Sequence, residues 1–189
     1  MKNLTERLVV GGAALLVGLL LGWMVRGVAT FNPHAAIVSN YEDWRVACPA
    51  ADAKDGVCEM SADIIDPSQN NAIARITVTT DPKTGKGLLG FMLPHGVALE
   101  AGMGLQIGKD PVKVIQYRTC NQAGCIATTD FDDKLATSLR NASDAKVLFA
   151  TLDGKPVGEP VSFKGYRKSY SALKGSEARR HSWFWRLWS

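Results

Sequence analysis

The sequence has little of what catalytic and metal sites are built from. It contains only three histidines and four cysteines in 189 residues. None of His34, His95 and His181 has a second candidate ligand at metal-binding spacing, the cysteines lack the short spacing of zinc knuckles, and no serine lies in a nucleophile-elbow motif. We therefore expect no enzyme activity, no metal or cofactor, and no small-molecule substrate.

One glycine motif points towards nucleotide binding and fails on its context. Glycines 85, 87 and 90 match the G-x-G-x-x-G fingerprint. That fingerprint requires a strand before it and a helix after it. Here a Pro-Lys-Thr turn precedes it, and Pro94 prevents a helix directly afterwards.

Strong charge of one sign is also missing. The net charge is +4, and the basic residues do not form one stripe along the chain. Before residue 179 the aromatic residues are not interleaved with basic ones over any long stretch. This weak basic footprint argues against a nucleic-acid partner.

Charge is wholly absent from residues 8–25, and this predicts a membrane anchor. The run from Leu8 to Val25 has eighteen residues, about 27 Å of helix at ~1.5 Å per residue, which is close to the thickness of a hydrocarbon core. Residues up to Ala29 can extend it. A cleaved signal peptide is the alternative, since Gly27 and Ala29 supply small residues for cleavage. The run is longer than a secretory core, and Arg26 disfavours cleavage.

The flanking charges set the orientation. Lys2 and Arg7 precede the hydrophobic run, and after Arg26 the next basic residue is Arg45. Positive charge favours the cytoplasmic side. We predict a single-pass protein of a bacterial inner membrane, with residues 1–7 in the cytoplasm, an anchor over 8–29 in contact with the lipid, and the main domain in the periplasm.

Small residues recur within the predicted anchor. Ala14, Gly18 and Gly22 are four residues apart, so they share one helix face. In lipid such a face lets a second helix approach closely. The alternative is that glycine and alanine are simply common in membrane helices.

The four cysteines predict two disulfides. An even number in an exported domain favours disulfides, although four cysteines allow three pairings. We predict Cys48–Cys58 and Cys120–Cys125, because each pair is close in sequence and next to turn-forming residues. A zinc site and redox chemistry are the alternatives.

Residues 41–175 carry mainly β-type patterns, after a predicted linker over 30–40. Alternation of apolar and polar residues predicts strands over 44–47, 74–79 and 112–118. An apolar run at 88–93 is a further strand, and 145–152 and 160–163 form a hairpin through Asp153-Gly154. Helices are predicted from Asp130, with Phe131, Leu135 and Leu139 on one face, and at residues 166–173. The pattern predicts an antiparallel sandwich or barrel with one or two short helices.

The order of these features resembles the invasion-associated locus B family of bacterial exported proteins. The matching segments are Asp43–Cys48 followed by Cys58, Leu93–Gly102, Tyr117–Ala127 and Val161–Tyr166. Together they extend from residue 43 to about residue 173. The resemblance implies an exported β-rich domain, linked in pathogens with host-cell invasion, and does not imply catalysis. The hydrophobic leader and a Trp-rich C-terminus depart from the family pattern and favour a membrane-bound setting.

The C-terminal residues 176–189 form a predicted interfacial tail. On a helix Trp183, Phe184, Leu187 and Trp188 share one face, with arginines nearby. Such a surface suits a membrane interface or a protein partner; the alternative is a disordered or self-packed tail.

Taken together, the patterns predict a non-enzymatic, membrane-anchored interaction protein. We expect it to be an accessory or assembly subunit of an integral inner-membrane complex. The alternative is a secreted or surface adhesin-like factor that acts on host cells.

Overall fold

The structure is a computed structural model that describes residues 11–23, 35–50, 53 and 56–181. The chain divides into two compact units between His34 and Ala35. In the first unit the described residues form helix α1 over 11–23. The described residues of the second unit form these strands: β1 Ile37–Tyr41, β2 Trp44–Cys48, β3 Glu59–Asp66, β4 Asn71–Thr80, β5 Gly87–Leu93, β6 Met103–Ile107, β7 Lys113–Ile115, β8 Tyr117–Asn121, β9 Gly124–Asp130, β10 Ala145–Ala150 and β11 Pro156–Pro160. They also form helices α2 Asp133–Asn141 and α3 Tyr166–His181, and a turn of 3-10 helix at Leu99–Ala101.

The strands build two open antiparallel sheets. The first has seven strands in the order β1-β2-β3-β4-β5-β9-β8, and the second has four in the order β11-β10-β6-β7. Buried side chains from both sheets, including Phe91 and Leu105, belong to one hydrophobic core. Of the two predicted architectures, the described residues show the one with two sheets and not the closed one.

Local alternation predicted several strands correctly. β4 buries Ala74, Ile76 and Val78, each at most 8% exposed, as its period of two requires. β5 ends at Leu93, directly before Pro94. The Asp153-Gly154 hairpin is present, with Ala150 paired to Pro156 and a positive φ at Gly154. Its second strand is residues 156–160, so the prediction of 160–163 was wrong.

The run over residues 112–118 is not one strand. It splits at Gln116 into β7, which belongs to the second sheet, and β8, which belongs to the first. Ile115 is 4% exposed, whereas Val114 is 58% exposed. A regular alternation cannot show that the chain passes from one sheet to the other, which is why the prediction failed here.

Both helices of the second unit are present, with different limits. α2 begins at Asp133, after Asp132, whose carboxylate accepts a hydrogen bond of 2.7 Å from the amide of Leu135. Phe131 is buried just before this helix. α3 starts at Tyr166, as predicted, and continues to His181, past the predicted end of the domain at residue 175. β1 likewise begins inside the predicted linker.

The predicted anchor is described only in part. Residues 8–10 and 24–29, and the predicted cytoplasmic residues 1–7, lie outside the described residues. Within the described ranges, no helix combines the length and hydropathy needed to cross a bilayer.

Candidate interaction surfaces

Helix α1 presents the predicted face of small residues. Ala14, Gly18 and Gly22 follow one another at four-residue spacing along it. The groove along this face is lined by Gly11, Ala14, Leu15, Gly18 and Leu19. A Cβ atom added at Gly18 or Gly22 would meet no atom of the described residues within 4 Å. The face could therefore admit a neighbouring helix, and this packing role stays a prediction.

Both predicted disulfides are present. Cys48, the last residue of β2, is bonded to Cys58, and Cys120 of β8 is bonded to Cys125 of β9. Cys120 and Cys125 are direct partners in the register of their two strands. Each bond therefore closes a connection between antiparallel neighbours, and the predicted pairing is confirmed.

The second disulfide lies beside the loop that contains His95. Cys120 is exposed, and Asn121 follows it at the tip of the hairpin. The Nε2 atom of His95 lies 2.7 Å from the carbonyl oxygen of Asn121, so the ring nitrogen donates to it. His95 is exposed, but it also holds its loop to the hairpin through this hydrogen bond. Among the described residues no group of three or more His, Cys, Asp and Glu side chains could hold a metal ion.

The first disulfide encloses a loop whose carbonyl groups converge on Arg180. We call residues 49–57 the disulfide loop. The guanidinium of Arg180 donates to the carbonyl oxygens of Pro49 (3.0 Å), Ala50 (3.3 Å), Ala53 (2.9 Å) and Gly56 (3.0 Å). The planar fork of an arginine offers five N–H donors in fixed directions, which suits several acceptors at once.

A second bond joins the same helix to the disulfide itself. The amide of Cys58 donates to Glu177 Oε1 over 2.5 Å. Glu177 and Arg180 are three residues apart, so both lie on the same side of α3. We call these two residues and their contacts the α3 clamp. Sequence reasoning missed it, although the i, i+3 spacing of an acidic and a basic residue was a visible signal.

The outer face of the second sheet carries a small apolar patch, which we call the outer patch. Val112 is 43% exposed and Val114 58% exposed. Beside them Leu148 of β10 is flanked in register by Gly104 and Gly158. A Cβ on Gly104 would come within 2.6 Å of Val112 Cγ1, and one on Gly158 within 2.9 Å of Leu148 Cδ2. The two glycines therefore leave room for apolar side chains to lie across the sheet.

The predicted contact residues of the tail lie outside the described residues. Trp183, Phe184, Leu187 and Trp188 are all beyond His181. Their role as an interface stays a prediction, and α3 brings the described chain to within two residues of Trp183.

Both the architecture and the sequence of this chain are similar to those of known proteins. The crystal structure of invasion associated protein B from Bartonella henselae superposes with a TM-score of 0.63 at 21% identity, covering 75% of this chain and 99% of that one. No curated protein matches the sequence. The family model described as invasion associated locus B (IalB) protein matches residues 44–174, more than half of the chain. The chain therefore belongs to the invasion associated locus B family.

Proposed function

We propose that this chain is a non-enzymatic interaction protein, tethered to the periplasmic face of a bacterial inner membrane, that acts as an accessory or assembly subunit of an integral membrane complex. The observation that carries the proposal is the α3 clamp. It holds α3 to the domain as far as Arg180, so the first residues of the predicted tail belong to this helix, and the tryptophans begin three residues later at Trp183. Because α3 is fixed to the domain, the residues that follow it start from a fixed position. This favours a specific contact between the tail and a partner.

Two further features support the location. Both disulfides suit an oxidising compartment such as the periplasm. The uncharged residues 8–25 suit an anchor. Neither the resemblance to the family nor the two sheets require a catalytic site, and the outer patch offers a further contact for a partner.

A second candidate function is an adhesin-like factor at the cell surface or outside the cell. The name of the Bartonella henselae protein, invasion associated protein B, favours it. In that case residues 8–29 would be lost on export, and the outer patch would be the surface available to a host-cell receptor.

Affinity purification of the full chain from gently solubilised membranes, followed by mass spectrometry, separates the two candidates. Co-purification of a stoichiometric inner-membrane complex supports the first. Recovery of the protein in the medium, with binding to host cells, contradicts it and supports the second.

Two variants test how the partner is held. Gly18→Leu should reduce recovery of the partner, and Gly12→Leu is the matched control because residue 12 lies about 120° away around α1. Deletion of residues 182–189 should reduce recovery further. The deletion must begin after His181, since a cut after Ala178 would also remove Arg180 from the clamp. Full recovery in the combined variant would exclude both surfaces and leave the β-domain as the contact.

A further inference from the structure

Helix α3 carries a net positive charge. Between Tyr166 and His181 there are five basic residues and one acidic residue. The resulting net charge of +4 equals the net charge of +4 of the whole chain. The sequence shows no single basic stripe, but folding gathers part of the basic residues on this helix.

The basic residues of α3 that are not in the clamp share its exposed side. Arg167, Lys168, Lys174 and Arg179 are all exposed. At about 100° per residue they lie within an arc of about 140°. We call this arc the basic face. The residues that separate its charges are small: Ser171, Gly175 and Ala178.

No acidic residue of α3 interrupts the basic face. The one acidic residue of the helix, Glu177, turns towards the disulfide loop and accepts from Cys58. Tyr166, Ser169 and Leu173 fill the opposite, buried side. The helix therefore presents its buried side to the domain and an uninterrupted positive surface to its surroundings.

Neighbouring elements extend this surface. Arg140, at the end of α2, is exposed, and its carbonyl accepts a hydrogen bond of 3.1 Å from Arg167 Nε. Lys164, just before α3, is also exposed. Among the described residues, one ion pair involves the face: Glu42 Oε1 is 3.9 Å from Lys168 Nζ. A partner of opposite charge would still meet a net positive surface.

We propose that the basic face of α3 binds the anionic phospholipid headgroups of a membrane surface. Nucleic acid is a poorer fit, because single-strand binding relies on exposed aromatic rings, and Tyr170 is half-buried and stacked on Tyr166. A protein partner is also a poorer fit, because protein hot spots combine arginine with tryptophan and tyrosine, and the basic face contains neither of these two aromatic residues. Small residues between the charges leave a face that a flat, charged surface can approach.

The sequence after α3 favours the same occupant. Residues 183–188 combine three tryptophans with one arginine, a composition typical of membrane interfaces. The basic face would add an electrostatic contact to an interfacial one. The inference rests on the proposed function in one respect, because that function brings the domain close to a membrane.

The expected strength of this contact follows from its charge. Each lysine or arginine near an anionic membrane strengthens binding by about fivefold. The attraction is screened by salt, since the Debye length falls from about 10 Å at 0.1 M to about 3 Å at 1 M. Binding through the basic face must therefore depend on both lipid charge and ionic strength.

The test uses the full chain in lipid nanodiscs. One preparation contains phosphatidylcholine alone. The other also contains the anionic lipid phosphatidylglycerol, at roughly one lipid in three, to provide the negative surface potential that attracts basic residues. Lysines are acetylated at low conversion and the rates are read by mass spectrometry. We expect Lys168 and Lys174 to react at least about fivefold more slowly on the anionic nanodiscs, and to recover in 1 M salt, a concentration at which the Debye length is about 3 Å. Lys83, exposed in the turn between β4 and β5, should react equally on both.

Charge-matched variants identify the surface. Arg167→Gln with Arg179→Gln should weaken the contact by about 25-fold and abolish the protection of Lys174. Arg118→Gln with Lys146→Gln removes the same charge from exposed positions on β8 and β10 and should leave the protection unchanged. If both double variants lost the protection of Lys174 equally, only a general charge attraction would be shown, and the proposal would be overturned.

Two further outcomes are decisive. Equal rates for Lys168 and Lys174 on both kinds of nanodisc would overturn the proposal. The proposal would also be overturned if an RNA oligonucleotide or polyglutamate, without lipid and at the same charge concentration, protected Lys168 and Lys174 more strongly than the anionic nanodiscs do. Co-elution of the chain with the nanodiscs reports on the anchor separately. If the chain elutes separately from the nanodiscs, the predicted membrane anchor is wrong. In that case the acetylation rates of the same lysines, measured with added phosphatidylglycerol vesicles, still test the basic face.

Discussion

The amide of Cys58 donates a hydrogen bond of 2.5 Å to Glu177, 119 residues later in the chain. This bond places the end of α3 against the first disulfide. Arg180 adds bonds to the carbonyl groups of the loop that the same disulfide closes. The stability of α3 should therefore depend on the disulfide between Cys48 and Cys58.

Removing the first disulfide should loosen α3 specifically. We expect Cys48→Ser with Cys58→Ser to lower the free energy of unfolding by about 2–4 kcal/mol. Amide exchange over residues 174–181 should accelerate, because the loop can no longer hold its carbonyl groups around Arg180. Cys120→Ser with Cys125→Ser is the matched control and should leave exchange in α3 unchanged. Equal acceleration in both variants would contradict the coupling.

Arg180 and its neighbour Arg179 should differ sharply in their effect on stability. Arg180→Ala removes hydrogen bonds to four carbonyl groups and should cost about 1–2 kcal/mol. Arg179→Ala alters an exposed side chain that, among the described residues, donates to Gly175 of its own helix, and should stay within about 0.5 kcal/mol of the parent chain. Urea unfolding measures both; similar values would show that the clamp contributes nothing to stability.

Local sequence patterns predicted what depends on neighbouring residues. Alternation located β4, the turn residues located the β10–β11 hairpin, and short separation selected both disulfides. Residue spacing also predicted that the small residues of α1 share one face of a helix, and that α3 begins at Tyr166.

What the sequence could not predict depends on contacts between distant residues. Gly175 is of a type that often ends helices, yet α3 continues beyond it, because Glu177 and Arg180 find partners more than 100 residues earlier. The split at Gln116 likewise depends on which sheet each half joins. The basic face became visible only when α3 was known to extend to His181, because Lys174 and Arg179 lie beyond the predicted helix.

Two glycines of the C-terminal region should respond oppositely to the same substitution. Gly165 has a φ of +83°, and a Cβ there would clash with the carbonyl oxygen of Tyr41. Gly165→Ala should therefore cost at least about 2 kcal/mol, since both strain and a clash oppose it. Gly175 is inside α3, and a Cβ there would meet no atom of the described residues within 4 Å, so Gly175→Ala should stabilise by about 0.5–1 kcal/mol. Thermal unfolding of the two variants checks the contrast, and a shared sign would contradict it.

Residues 8–25 should remain on the mature protein. An uncharged run of this length has the dimensions of a membrane span. N-terminal sequencing should find the leader intact, and the chain should stay in the pellet after carbonate extraction. A mature chain that starts near Thr30 and is recovered in the soluble fraction would exclude the anchor.

The buried hydroxyl of Tyr166 should make the domain sensitive to alkaline pH. Tyr166 is 1% exposed, and among the described residues its hydroxyl has no hydrogen-bond partner. Burial raises the pKa of this phenol, the nearby Tyr170 raises it further, and Arg140 lowers it by a smaller amount. The ring itself is held by edge contacts with Trp44 at 5.1 Å and Phe163 at 5.7 Å.

The sign of the pH dependence follows from the raised pKa. In the unfolded chain a tyrosine loses its proton near pH 10, whereas folded Tyr166 keeps it. This contribution to stability is complete below about pH 10 and is lost as the pH rises towards the folded pKa. Tyr166→Phe keeps the ring contacts and removes the titration, so the loss of stability between pH 7 and about pH 10.5 should become smaller.

The same variant also tests the hydroxyl at neutral pH. Because an unpartnered buried hydroxyl costs free energy, Tyr166→Phe should unfold at pH 7 with an unchanged free energy or one higher by about 1 kcal/mol. Tyr117→Phe is the matching variant for comparison. Burial also raises the pKa of Tyr117, and its hydroxyl likewise has no hydrogen-bond partner among the described residues. Urea unfolding at both pH values measures each variant. If Tyr166→Phe instead destabilised the domain at pH 7 by more than about 1 kcal/mol, the hydroxyl would have a partner, and the alkaline sensitivity would need another source.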